Sequence, residues 1–122
     1  MIRHAHAVVW IDQRAAQIFE FNRDDTDKHI VRRGGAPQRI HHRVGSLGTG
    51  HRAEDRKYLD AVSQALKASR QILIVGPGDT KTTLKTHIER NLPDMAAMIV
   101  GVESLFRPDD PEIVALARRF FQ

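Results

Sequence analysis

The chain has 122 residues, the usual size of one domain, with 41% apolar residues to fill a core and 28% charged residues to keep a surface wet. No apolar run approaches the roughly 20 residues that cross a bilayer, the first residues lack the apolar stretch of an export signal, and the absence of cysteine excludes disulfides and Cys-based zinc sites. A net charge of +4 and a pI near 10.0 favour polyanions, either nucleic acid or an anionic surface, no membrane partner is expected, and the cysteine-free composition suits the reducing cytoplasm.

The first predicted element is a β-hairpin over His6–Asn22. Ala7-Val8-Val9-Trp10-Ile11 is a near-continuous apolar run, the pattern of a central strand buried on both faces. Asp12-Gln13-Arg14 is a polar turn, and Gln17–Phe21 continues in β-forming residues. After the polar stretch Asn22–Asp27, the residues Lys28–Arg32 form a third, shorter strand. Arg33–Ala53 then has no usable periodicity and is expected to be one long loop.

Glu54 opens a helix to about Ser69, with Leu59, Val62 and Leu66 on one stripe. Ile72–Val75 is a buried strand ending at Gly76-Pro77-Gly78. A second helix starts near Asp79 or Thr80, carries Leu84, Ile88 and Leu92 on its apolar side, and stops at Pro93. Met98–Val102 is a fifth strand. Asp110 as N-cap and Pro111 at the first helical position start a last helix with Ile113, Ala117 and Phe120 facing inward, joined by Val114 and Phe121. The order β-β-β-α-β-α-β-α predicts an antiparallel three-stranded meander followed by right-handed crossovers. That is the element order of an α/β, ribonuclease H-like mixed five-stranded sheet with helices on both faces. Neither an internal repeat nor an interdomain linker is visible, so residues 1–122 are expected to form a single domain.

The most informative stretch is the long segment 33–53. Arg32, Arg33, Arg39, Arg43 and Arg52 stand there with His41, His42 and His51 and no acidic residue between Arg32 and Ala53, and Arg56 and Lys57 follow at once. Guanidinium groups pair bidentately with phosphate, and glycines such as Gly34 and Gly35 let backbone N–H groups approach closely. The candidate nucleic-acid contacts are therefore Arg33, Gly34, Gly35, Gln38, Arg39, His41, His42, Arg43, His51, Arg52 and Arg56, against ribosomal or other structured RNA. The alternatives are a solvated excursion that only aids solubility and a segment that orders on a protein partner. A metal among His41, His42 and His51 is not expected, because the segment supplies no carboxylate and its glycines would not hold ligands still. Ser46 has no orienting carboxylate nearby in sequence.

Gly76, Gly78 and Lys81 form a second, weaker candidate, an anion site at a helix N-terminus. The P-loop spacing is missing, and the competing reading is a tight strand-to-helix turn that needs glycine for close packing. Asp12 ends the first strand, where a nuclease of that fold keeps a metal-binding carboxylate. Only Glu20, Glu54 and Glu103 offer partners, so Asp12 reads as a turn residue. No cofactor and no metal are expected.

Three segments together resemble the middle domain of archaeal and eukaryotic peptide-chain release factors and of Pelota. They are the hairpin Ala7–Phe21, the basic stretch Arg32–Arg56, and Ile72–Lys81 with its Gly76-Pro77-Gly78-x-x-Lys81. The likeness is to small bacterial relatives of those factors, described as translational machinery or host-attachment-like proteins. It implies a ribosome-directed role in translation. In release factors the loop between the third strand and the first helix carries Gly-Gly-Gln, which promotes peptidyl-tRNA hydrolysis. This chain reads Gly34-Gly35-Ala36-Pro37-Gln38, with the glutamine displaced by two residues. The catalytic glutamine is not carried over, and the resemblance is nearer to Pelota, whose basic loop lacks the tripeptide. Binding is expected rather than catalysis, with peptidyl-tRNA hydrolysis through Gln38 or nuclease chemistry through Asp12 as the enzymatic alternatives.

Overall fold

The computed structural model describes residues 6–22, 25–34, 47–106 and 108–121, with only the backbone described for 47–54. Five strands, β1 His6–Ile11, β2 Ala15–Phe21, β3 Thr26–Arg32, β4 Gln71–Gly76 and β5 Ile99–Ser104, form one sheet in the order β3-β2-β1-β4-β5. The first three pair antiparallel, and β4 and β5 run parallel to β1 and to each other. The helices are α1 Leu47–Ala65, α2 Thr80–Asn91, the short α3 Pro93–Ala96 and α4 Asp110–Phe121. This is the expected mixed sheet with the expected strand directions.

The unbroken apolar run of β1 places that strand at the sheet centre, with one set of side chains on each face. Ala7, Val9 and Ile11 pack under Tyr58, Val62, Leu66, Leu84 and Ile88 of α1 and α2. Val8 faces the other way, toward Ile113 and Ala117 of α4. Register turns these alternations into rows across the sheet. On the α1–α2 face Ile18, Val9, Ile74 and Val102 lie side by side. On the α4 face the row is Phe19, Val8, Leu73 and Gly101, and the Phe120 ring fills the space above that glycine. Full burial of each Val, Leu or Ile contributes about 1.5–3 kcal/mol, so the two faces together supply the main driving force.

Four expectations need correction. The segment predicted as loop to Ala53 is helical from Leu47, because adding residues to a formed helix gains a hydrogen bond each without new nucleation, enough to run through Gly48 and Gly50. Pro93 does not simply stop α2. Leu92 breaks the helical dihedrals (φ −137°), and Pro93 then sits in the first turn of α3, where its missing N–H costs nothing. At the last helix the cap is Asp109 rather than Asp110. Its Oδ1 accepts from Glu112 N at 3.0 Å while Glu112 Oε1 accepts from Asp109 N at 2.9 Å, a reciprocal box that a D-x-x-E spacing makes possible. Phe120, expected inside, is 38% exposed at the rim over Gly101, and Phe121 packs inward against His6 and Phe21.

Candidate functional site

Because β3, β1, β4 and β5 all run in one direction, their C-terminal ends emerge at one edge of the sheet. Four connections meet there, and hydrogen bonds between them fix their positions. Asp12 builds the first: its Oδ1 accepts from the N–H groups of Arg14 at 2.8 Å and Ala15 at 2.9 Å, which closes the hairpin turn. Arg33 N then donates to Arg14 O at 2.8 Å, so the end of β3 lies against that turn. The chain leaves β3 through Gly34 at φ +88°, a left-handed conformation that glycine adopts without a Cβ clash. Leu105 N donates to Gly76 O at 2.9 Å and Trp10 Nε1 to Leu105 O at 3.0 Å, tying the connection after β5 to β4 and β1.

Helix α1 closes the site from above. Asp55 pairs with the Arg33 guanidinium, which is mostly covered, and Tyr58 reaches down to donate its hydroxyl to Asp12 O at 2.9 Å. Burial chiefly, and the Asp12 carboxylate after it, push the Tyr58 phenol well above its ordinary range, while Arg33 opposes them. The phenol is therefore a permanent donor at neutral pH. An open cleft of about 520 Å³ runs between these groups, lined by Gln13, Arg14, Arg33, Asp55, Tyr58 and Thr80. It continues into a groove of about 650 Å³ between α1 and α2, lined by Arg56, Asp60, Thr86, His87 and Arg90.

The predicted residues fall into three groups. Arg33, Gly34 and Arg56 are at this edge, and Arg33 has a carboxylate partner in Asp55 that its basic sequence surroundings gave no sign of. Gly35, Gln38, Arg39, His41, His42 and Arg43 lie outside the described residues. His51 and Arg52 are on the first turns of α1, with their side chains outside the description. The Gly76–Lys81 turn departs from an anion cradle in two respects. A Cβ on Gly76 would meet Ile11 O at 2.3 Å, so this glycine serves the close approach of β4 to β1. Lys81 Nζ donates to Gly78 O, and its charge is folded back on its own turn. Among the described residues no three His, Asp or Glu side chains converge in a way that would hold a metal. Sequence reasoning missed Arg14 and Arg90. Arg14 was visible only as a turn residue, and the polar face of α2, Thr83, His87 and Arg90 at spacings of four and three, was the signal for the second.

No family profile and no curated protein matches the sequence. Solved structures match its fold. Pelota of Archaeoglobus fulgidus superposes with a TM-score of 0.66 at 12% identity, over 97% of this chain and 32% of that one. An archaeal translation termination factor gives 0.60 at 12% identity, over 93% and 34%. Saccharomyces cerevisiae Dom34, a translation termination-like factor involved in RNA quality control and interacting with Hbs1, gives 0.60 at 12% identity, over 92% and 31%. The chain thus has the fold of a middle-domain-like fragment of these factors and spans about a third of their length.

Proposed function

We propose that the chain is a release- or rescue-factor-like translation module that docks on the ribosome or on structured RNA through its basic stretch 33–53. The observation that carries this reading is the likeness of nearly the whole chain to factors of translation termination, combined with where the basic stretch starts. It leaves the sheet at the edge where Arg14 and Arg33 line the cleft and Arg56 lines the groove that continues it. Phosphate contacts by Arg39, Arg43 and Arg52 then add to those three, with His41, His42 and His51 contributing hydrogen bonds. The domain works by binding, with Gln38 an ordinary residue of the stretch, in the cytoplasm where ribosomes are. A protein partner is part of the proposal, as one is for Dom34.

Co-sedimentation with ribosomes across a salt series tests this. If the arginines neutralise phosphates, log K falls against log salt by about 0.7–0.9 per phosphate. Changing Arg39, Arg43 and Arg52 together to Ala weakens binding and flattens the slope by roughly two to three units. A folded triple variant that binds with the wild-type slope would sink the reading. Gln38→Ala leaves affinity unchanged.

A further inference from the structure

The groove between α1 and α2 has an uneven charge distribution. The carboxylates lining it and the adjoining cleft are both engaged: Asp55, in the cleft, pairs with Arg33, and in the groove Asp60 Oδ1 bonds His87 Nε2 at 2.8 Å. The remaining guanidiniums, Arg14, Arg56 and Arg90, are exposed, and among the described residues none of them has a carboxylate partner. On α2 the positions Thr80, Thr83, His87 and Arg90 recur at three- and four-residue spacings and share one face, which makes a polar strip about 15 Å long at ~1.5 Å per residue. Arg56 faces it from α1, and Leu59 forms the floor common to groove and cleft.

We infer that this groove is a second phosphate-binding track for a single strand of RNA, continuous with the contact proposed for the basic stretch and resting on that reading. Arg56 and Arg90 contact phosphates along it and Arg14 does so in the adjoining cleft, and the hydroxyls of Thr80 and Thr86 donate to the oxygens between them. Forked guanidinium donors match phosphate geometry, and hydroxyls suit a backbone contact that carries no base preference. An acidic peptide is the competing occupant, but protein interfaces are anchored by buried aromatic side chains in pockets, and this groove offers one leucine and no aromatic recess.

Fluorescence anisotropy of the full chain with a labelled 12-nucleotide oligouridylate, across a salt series, reads the track directly. Arg56→Glu with Arg90→Glu should weaken binding about tenfold or more and flatten the salt slope by roughly one to two units. Arg56→Lys with Arg90→Lys should recover most of the loss, which a purely structural role would not give. Both side chains are exposed, so thermal melts of the variants should match the wild type, and the Ala pair substitutes if the Glu pair does not fold. A wild-type affinity in the Glu pair, beside a weakened Arg39, Arg43 and Arg52 variant, overturns the groove and leaves the docking proposal standing. Ribosome binding without oligouridylate binding does the same. Failure of the wild type to bind either probe overturns both. Displacement of the oligonucleotide by polyglutamate of equal charge, as effectively as by unlabelled oligouridylate, overturns the assignment to RNA.

Discussion

Replacing Gly76 by alanine tests the packing that holds the candidate site in place. The new Cβ would lie 2.3 Å from Ile11 O, with Ile11 C at 3.4 Å and Ile11 N at 3.5 Å. The obstacle is backbone of the central strand, bonded on one side to β2 and on the other to β4, and no rotamer change relieves it. Relief requires the C-terminal ends of β1 and β4 to separate, which strains the bond from Leu105 N to Gly76 O. Overpacking of this kind costs about 1–3 kcal/mol and a lost hydrogen bond about 1 kcal/mol, for a total of about 3 kcal/mol. With an unfolding entropy of about 2.1 cal/mol/K per residue over 122 residues, that lowers Tm by about 12 °C. Two other glycines calibrate the result. A Cβ at Gly101 meets the far end of the Phe120 ring at 2.5 Å, and that half-exposed ring can swing outward, so Gly101→Ala should cost about 1 kcal/mol. Gly78 has nothing within 4 Å and no left-handed φ, so Gly78→Ala should be neutral or stabilising by up to about 1 kcal/mol. Thermal unfolding followed by circular dichroism ranks the three. If Gly76→Ala unfolds within about 1 kcal/mol of Gly78→Ala, the close approach does not constrain the sheet as argued.

Tyr58 is the chain's single tyrosine, so absorbance at 295 nm titrates it alone, and native protein should resist phenolate formation beyond the ordinary value near pH ~10. The sign follows from the raised native pKa: stability from this group is full below the unfolded value and declines as pH rises past it toward the native one. Unfolding melts at successive alkaline pH values should therefore fall more steeply for wild type than for Tyr58→Phe. Asp109→Ala removes the cap of α4 and should cost about 1 kcal/mol by urea unfolding, whereas Asp110→Ala should cost less, because Lys28 holds it only at the surface, at 2.7 Å.

Much of the scaffold is legible in residues whose neighbours in sequence are also their neighbours in energy. An unbroken apolar run in β1 has no polar side, so the strand must be covered twice. Asp12 three residues before Ala15 is placed to close a turn. Gly76 reads as a close approach because a strand leads into it and a helix follows it. The site is harder to read because its geometry is tertiary. Arg33 sits in a stretch without acids, and its partner Asp55 comes within reach only when α1 packs over β3. Arg56 and Arg90 belong to different helices and share a groove only after both lie on the sheet. The start of α1 was missed for an energetic reason, since two glycines lower local propensity while elongation from a packed helix overrides it.

The Arg33–Asp55 pair also bears on how this scaffold can change. It joins the end of β3 to the third turn of α1, so both anchors of the intervening chain are held by this pair. Closing a longer connection between fixed anchors costs only about 0.6 kcal/mol per doubling of its length. A change in the length of the chain that joins Gly34 to Leu47 is therefore expected to cost the sheet little. One framework can carry different inserts to the same place, and a segment grafted there from another protein should leave the unfolding midpoint nearly where it was.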